Sequence, residues 1–439
     1  MAESREAVRA VGRRLLQRGS RGVRRTVARR KRLLMYLSIL GPGMITANAG
    51  NDAGGIATYA SVGAEHGYRL LWIFIPITIS LGIIQEMCAR MGAVTGKGLA
   101  DLIRERFGVR WTAVVMLALL IANAGVTVSE FVGIAAATEL FGVNRVISVP
   151  IGAIAIWWLI VKGSYRRVER VFLLMSLVFL GYIVSAFLAR PDWATVGVSL
   201  VHPSFSLQPA FLFTFIAVVG TTISPYMQVY VQSSVVEKGV TVENYSETKA
   251  DVWVGTVFAI SIALFIIVST AATLHKHGWH VDSAATAARA LEPLAGPYAE
   301  KLFAIGLFGA SMLAAGVLPL ATAYSISEAL GYEKGVSRSF REAPIFIGVF
   351  TFLIAVGAAI AIIPDLPLIQ VLLVTQVING LLLPVILIAV LRLVNTRDLM
   401  GTHVNGLLYN IAAWATTIIV TVLSILFILV TVFPRLLRV

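Results

Sequence analysis

Oxygen-bearing side chains gather at two places where an apolar run of this chain is interrupted. In AGNDAGGIATY, residues 49–59, Asp52 stands beside Gly54 and Gly55; in VVGTTISPYMQ, residues 218–228, Thr221, Thr222 and Ser224 lie between Gly220 and Pro225. A carboxylate within a lipid-crossing segment is costly, and glycine and proline weaken the helix that would carry it. A helix broken at that depth exposes backbone carbonyls, which is tolerated where the irregular stretch lines a cavity. The chemistry suited to such a place is cation binding by oxygen, with Asp52 supplying the balancing negative charge. Glycine and proline also serve membrane helices as packing and kink residues, and the second break taken alone fits that role equally well.

These residues are positioned by membrane spans. The 439 residues are 58% hydrophobic and 13% charged, with a mean hydropathy of +0.84, far more apolar surface than a soluble core buries. Apolar runs place spans at 33–64, 67–91, 111–141, 146–161, 168–189, 209–236, 250–274, 300–330, 344–363, 367–393 and 406–433. The expectation is an all-α polytopic membrane protein, with residues 1–32 a basic tail and 33–433 the membrane domain. No cleavable signal pattern is expected, since the first apolar stretch opens only at Leu33. The single cysteine, Cys88, supports neither a disulfide framework nor a cysteine metal cluster.

Charge sets the expected orientation. The tail holds 12 Lys or Arg against two Glu, ten of the thirteen excess positive charges. With no aromatic residues interleaved for base stacking, it reads as a cytoplasmic anchor touching anionic lipid rather than a nucleic-acid arm. With the N-terminus inside, the loops bearing Lys97, Arg104, Arg106 and Arg110, then Lys162, Arg166, Arg167 and Arg170, then Arg338 and Arg341 all fall on the cytoplasmic side. An odd number of spans puts the C-terminus outside, and the expected location is the plasma membrane. The interrupted spans are the first and the sixth. Breaks in register five spans apart point to inverted repeats around a midplane site, here repeat one at about 33–189, repeat two at about 209–393 and an extra span at 406–433.

The residues at both breaks resemble a known family. GPGMITANAGNDAGGIATYASVGAEHGYRLLW is similar to the first-span segment of the Nramp divalent-metal transporters, where a Gly-Pro opening leads to Asp-Pro-Gly-Asn and then Gly-Tyr-x-Leu-Leu-Trp. CARMGAVTGKGLADLIRERFG is similar to that family's second-span exit, VVGTTISPYMQVYVQSS to its sixth span, TQVINGLLLPVI to its tenth and NTRDLMG to the loop beyond. The resemblance runs over essentially the whole chain after the tail. It implies the leucine-transporter-type fold, two inverted five-helix repeats plus an eleventh span, and alternating access.

The departures from the family pattern imply a particular cargo. The family's Asp-Pro-Gly-Asn is here Asp52, Ala53, Gly54 and Gly55, so the carboxylate stays and the amide is lost. Ser224 stands where the family has a metal-binding methionine, and Tyr226 where it has a histidine. A thioether favours Mn²⁺, Fe²⁺ and Cd²⁺ over hard alkaline earths; an all-oxygen site suits Mg²⁺. Gly55 is expected to widen the cavity for an ion that sheds its octahedral water reluctantly. The pattern resembles the Nramp-related magnesium transporters. The resemblance implies Asp52 as anionic ligand, direct or through water, Thr221 as a carbonyl donor, Thr222 and Ser224 as hydroxyl or carbonyl donors, Gln376 as a ligand in some states and Asn379 at the ion's water shell. Asn51 is expected to point away around a helix. No cofactor is expected; Mg²⁺, or Mn²⁺, is cargo.

Coupling is read the same way. Where the family's third span carries Asp-x-x-Glu, this chain has Thr127 and Glu130, and all six histidines, 66, 202, 275, 277, 280 and 403, fall at span ends or in loops. Transport without protons is therefore expected, with Glu130 equally a packing carboxyl or a relay. HKHGWH, residues 275–280, is a weak outer-loop metal motif, and Glu86 with Arg90 fits an i,i+4 ion pair. No phosphate loop, nucleophile triad or dinucleotide fingerprint points to an enzyme. Alternatives are a proton-coupled Mn²⁺/Fe²⁺ importer, a sodium-coupled amino-acid carrier, whose substrate carboxylate Asp52 would repel, and a nontransporting scaffold or receptor.

Overall fold

The computed structural model describes residues 50–162, 180–335, 338–364 and 366–432. The basic tail, the first part of the first span and most of the fifth lie outside them. Among the described residues nine segments are long and apolar enough to cross a membrane, and every regular element is helical.

The first break leaves α1 at Ala53–His66, and the second span is α2, Phe74–Thr95. The third span belongs to α3, Leu99–Glu139, the fourth is α4, Arg145–Lys162, and the fifth ends as α5, Leu180–Leu188. A short helix α6, Trp193–Val201, precedes the sixth span, which is two helices: α7, Pro209–Thr222, and α8, Pro225–Glu237. Then follow α9, Tyr245–Thr273, α10, Ala299–Leu330, α11, Pro344–Ala361, α12, Leu368–Val394, and α13, Leu407–Val432.

Local chemistry accounts for both interruptions. Asp52 has an extended backbone and caps α1 by accepting the amide proton of Gly55, so the helix begins where a side-chain oxygen can satisfy its first-turn donors. In the sixth span, Pro225 pushes Ser224 into the extended region and itself opens α8, where its missing N–H costs nothing. Only Ile223 and Ser224 separate the two half-helices.

Two boundaries differ from the apolar runs. The third-span helix begins at Leu99 rather than 111, interrupted at Gly108, whose φ of 79° is a conformation suited to glycine. Residues 99–107 are a charged helical approach, pinned by a Lys97–Glu105 ion pair of 2.8 Å, and hydropathy alone passes over them. Likewise α9 starts at Tyr245, ahead of 250, because its opening residues carry Glu247 and Lys249.

The core brings the breaks together. α1 packs on α9 and α12, α7 on α12, and α3 on α10 and α12. Two glycines set how near α7 and α12 approach. A Cβ at Gly220 would lie 2.0 Å from the carbonyl oxygen of Gln376 and 2.4 Å from the amide nitrogen of Gly380, and one at Gly380 would lie 2.7 Å from the carbonyl oxygen of Ile216. With backbone touching backbone, the sixth-span break is held against the turn of α12 that bears Gln376.

Candidate cation site

Asp52, Gly55, Thr221, Thr222, Ser224, Gln376 and Asn379 are all buried, as are Thr127, Glu130 and Tyr226. Asp52 is fully buried, and its carboxylate is met by N–H donors: the Gly55 amide at 2.5 Å and Gln376 Nε2, 3.4 Å from both oxygens. Gln376 Oε1 in turn accepts from Asn379 Nδ2 at 3.2 Å, and Asn379 Oδ1 is buried with no hydrogen-bond partner among the described residues. α12 thus lays a two-amide chain across the first break.

Oxygens converge beside Gly55. A Cβ there would stand 2.6 Å from the Gly50 carbonyl oxygen, 3.0 Å from Thr221 Oγ1 and 3.2 Å from Asp52 Oδ1. Gly55 therefore does not open a wider space in this conformation; its missing side chain lets a carbonyl, a hydroxyl and a carboxylate draw together. Thr221 joins the two breaks by donating to Gly50 O at 3.5 Å.

The other sixth-span hydroxyls are engaged. Ser224 Oγ lies 2.6 Å from the Gly220 carbonyl oxygen and 3.1 Å from that of Thr221, capping the carbonyls that the broken helix frees. Thr222 Oγ1 donates to Val218 O at 2.6 Å and meets Tyr59 OH at 2.9 Å, tying α7 to α1 beyond the break. Asn51 lies in the break itself rather than on a helix, and its side chain donates to Ala259 O of α9 at 3.0 Å, away from Asp52.

The third span contributes one residue to this centre and turns the other aside. Glu130 Oε2 accepts from the Ala53 amide at 3.1 Å, so two carboxylates, Asp52 and Glu130, serve the first turn of α1, where exposed N–H groups favour negative charge. Thr127 donates to Asn123 O within its own helix at 2.7 Å, and its methyl group packs toward Gly357 of α11. Tyr226, fully buried, opens α8 behind Pro225.

Further out, the histidine-rich stretch serves structure. His275 Nδ1 bonds the Ala64 carbonyl oxygen at 2.8 Å, and His277 stacks on Trp279 with ring centroids 5.0 Å apart. Among the described residues no three His, Cys, Asp or Glu side chains gather as a metal cluster. Glu86 and Arg90 do form the i,i+4 ion pair, at 3.5 Å. Sequence reasoning missed Tyr59 and Gly50, whose only signal was their nearness to Asp52 in the chain.

The capped start of α1 set against a sixth span split in two, crossed by α12 and packed within a helical bundle, is the arrangement of a multi-pass membrane transporter of the leucine-transporter type. MhsT in complex with L-phenylalanine shares this fold, with a TM-score of 0.56 at 15% identity over 88% of this chain and 97% of that one. A manganese transporter of Eremococcus coleocola is more similar, with a TM-score of 0.71 at 19% identity over 89% and 85%. The model of the "Natural resistance-associated macrophage protein-like" family, Nramp, matches residues 43–430. The divalent metal cation transporter MntH of Ralstonia nicotianae is 30% identical over 426 residues, 90% of each chain. The chain belongs to the Nramp family, whose members among these relatives are transporters and not enzymes.

Proposed function

We propose that this protein carries divalent cations across the membrane by alternating access, with Mg²⁺ the preferred cargo and Mn²⁺ also accepted. The observation that carries this reading is the donor set at the first break: Asp52 carboxylate, Gly50 carbonyl and Thr221 hydroxyl converge beside Gly55, with Ser224 rather than a thioether across the sixth-span break. Oxygen donors without sulfur remove the advantage of softer transition metals. Gln376 turns its NH₂ toward the Asp52 carboxylate. As a cation ligand that side chain presents Oε1, while Asn379 Oδ1, which has no hydrogen-bond partner among the described residues, accepts from the ion's water.

The same reading is of transport not coupled to protons. With Thr127 turned to its own backbone, Glu130 is the one third-span carboxylate beside Asp52, and its bond to the Ala53 amide gives it a structural task. The membrane potential supplies the driving force. A divalent ion gains roughly 4.6 kcal/mol per 100 mV, about three orders of magnitude of accumulation. Charge asymmetry supports a plasma-membrane location with the N-terminus inside, the basic tail on anionic lipid and the C-terminus outside.

A second reading, a proton-coupled manganese or iron importer, draws on the closeness of Glu130 to the cap of α1 and on the names of the relatives above. Competition in proteoliposomes separates the two. Mg²⁺ uptake that resists equimolar Ca²⁺ and Cd²⁺ supports the first; Cd²⁺ and Mn²⁺ transport with no Mg²⁺ flux supports the second.

A further inference from the structure

Beyond the breaks, between α1, α7 and α12, lies a cavity of about 120 Å³, room for about four waters at ~30 Å³ each. Its polar wall is one stripe of α1, formed by Thr58, Ser61 and Glu65 at spacings of three and four that keep them on one face. The facing wall is α7, with Phe213 and Thr214, and Leu373 of α12 closes the side. Glu65 is the only ionisable side chain among the described residues lining the cavity, and it is exposed at the end of α1. Ser61 is 3% exposed, yet its hydroxyl has no hydrogen-bond partner among the described residues. Thr58 spends its proton on Gly54 O at 2.7 Å, leaving its lone pairs to the cavity. A buried hydroxyl without a protein partner is one that water, or the water shell of an ion, must satisfy.

We propose that Glu65, Ser61 and Thr58 form a recruiting subsite for a hydrated divalent cation, standing before Asp52 on the outer approach. The proposal rests on the reading above that the cargo is a divalent cation and that α1 ends at the outer face. Thirteen residues separate the two carboxylates, about 20 Å along a helix at ~1.5 Å per residue, so Glu65 draws ions to the cavity without competing for the one at Asp52. A single negative charge at the mouth of a low-dielectric cleft concentrates cations there and acts on capture rather than on turnover.

The test is initial uptake against ion concentration in cells overproducing the protein, where only the outer face meets the added ion. Glu65→Gln and Glu65→Asp are compared with wild type using Mg²⁺ or Mn²⁺, whichever the wild type carries faster. Glu65→Gln is expected to raise KM about three- to tenfold in low-salt sucrose buffer with kcat unchanged, and the gap should shrink below about twofold in 0.5 M choline chloride. Glu65→Asp should stay within about twofold of wild type. An unchanged KM, an equal fall in kcat, or a gap that salt does not narrow would overturn the proposal. The choice of ion is judged on the wild type alone, so its failure is read separately from the variant ratio.

Discussion

Gln376 Nε2 lies 3.4 Å from both carboxylate oxygens of Asp52, across 324 residues of chain. The bond places the tenth span on the first-span break, and it depends on how closely α12 approaches α7. A Cβ at Gly220 would fall 2.0 Å from Gln376 O and 2.4 Å from Gly380 N, both backbone atoms that side-chain repacking cannot move aside. Gly220→Ala should therefore destabilise the protein by about 1–3 kcal/mol and lower transport, read as a lower melting temperature in detergent alongside ion flux. Melting and flux like wild type would show that this contact does not hold the site together.

Selectivity is tested at Ser224. Its hydroxyl caps the carbonyls of Gly220 and Thr221, so Ser224→Met both adds a thioether and releases two carbonyl oxygens. The variant should bind Cd²⁺ at least about tenfold more tightly than wild type, some 1.4 kcal/mol, with no gain for Mg²⁺, as read by calorimetry. An unchanged Cd²⁺ to Mg²⁺ ratio would place the selectivity elsewhere. Adding the amide through Gly55→Asn is a harsher change, because a Cβ there meets Gly50 O at 2.6 Å and must displace the break.

Both breaks were legible in the sequence because their causes are local: Asp52 among glycines, and Pro225 three residues after the end of a hydroxyl-bearing half-helix. Among the described residues the spans were legible as apolar runs, short only where charged turns, such as residues 99–107 or the start of α9, extend a helix beyond lipid. What the sequence did not disclose is how side chains are spent. Ser224 capping carbonyls, Thr222 meeting Tyr59, Asn51 reaching α9 and the oxygens crowding Gly55 all depend on contacts between segments distant in sequence or on the path of the broken backbone. Residue type fixed the donors available there, while packing decided which of them were already engaged.

Coupling is tested with a lumenal pH dye read beside metal uptake in liposomes held at a fixed potential. Mg²⁺ entry should leave lumenal pH unchanged, and a pH gradient alone should drive no accumulation. Glu130→Gln keeps an oxygen to accept from the Ala53 amide, so its flux should remain within about twofold of wild type. A modest pH dependence of flux is still expected, since a proton on Asp52 competes with the cation without crossing. Proton influx that requires Mg²⁺ and disappears in Glu130→Gln would make Glu130 a relay.

The central claim is that a divalent cation crosses by way of Asp52, and Mg²⁺ uptake into proteoliposomes by wild type and Asp52→Ala at matched protein content tests it most directly. The carboxylate is the one anionic group at the oxygens beside Gly55, so the variant, once shown by gel filtration to be folded, should lose at least about tenfold in flux for Mg²⁺ and Mn²⁺ alike. Wild-type flux of either ion through a folded Asp52→Ala protein would contradict the account.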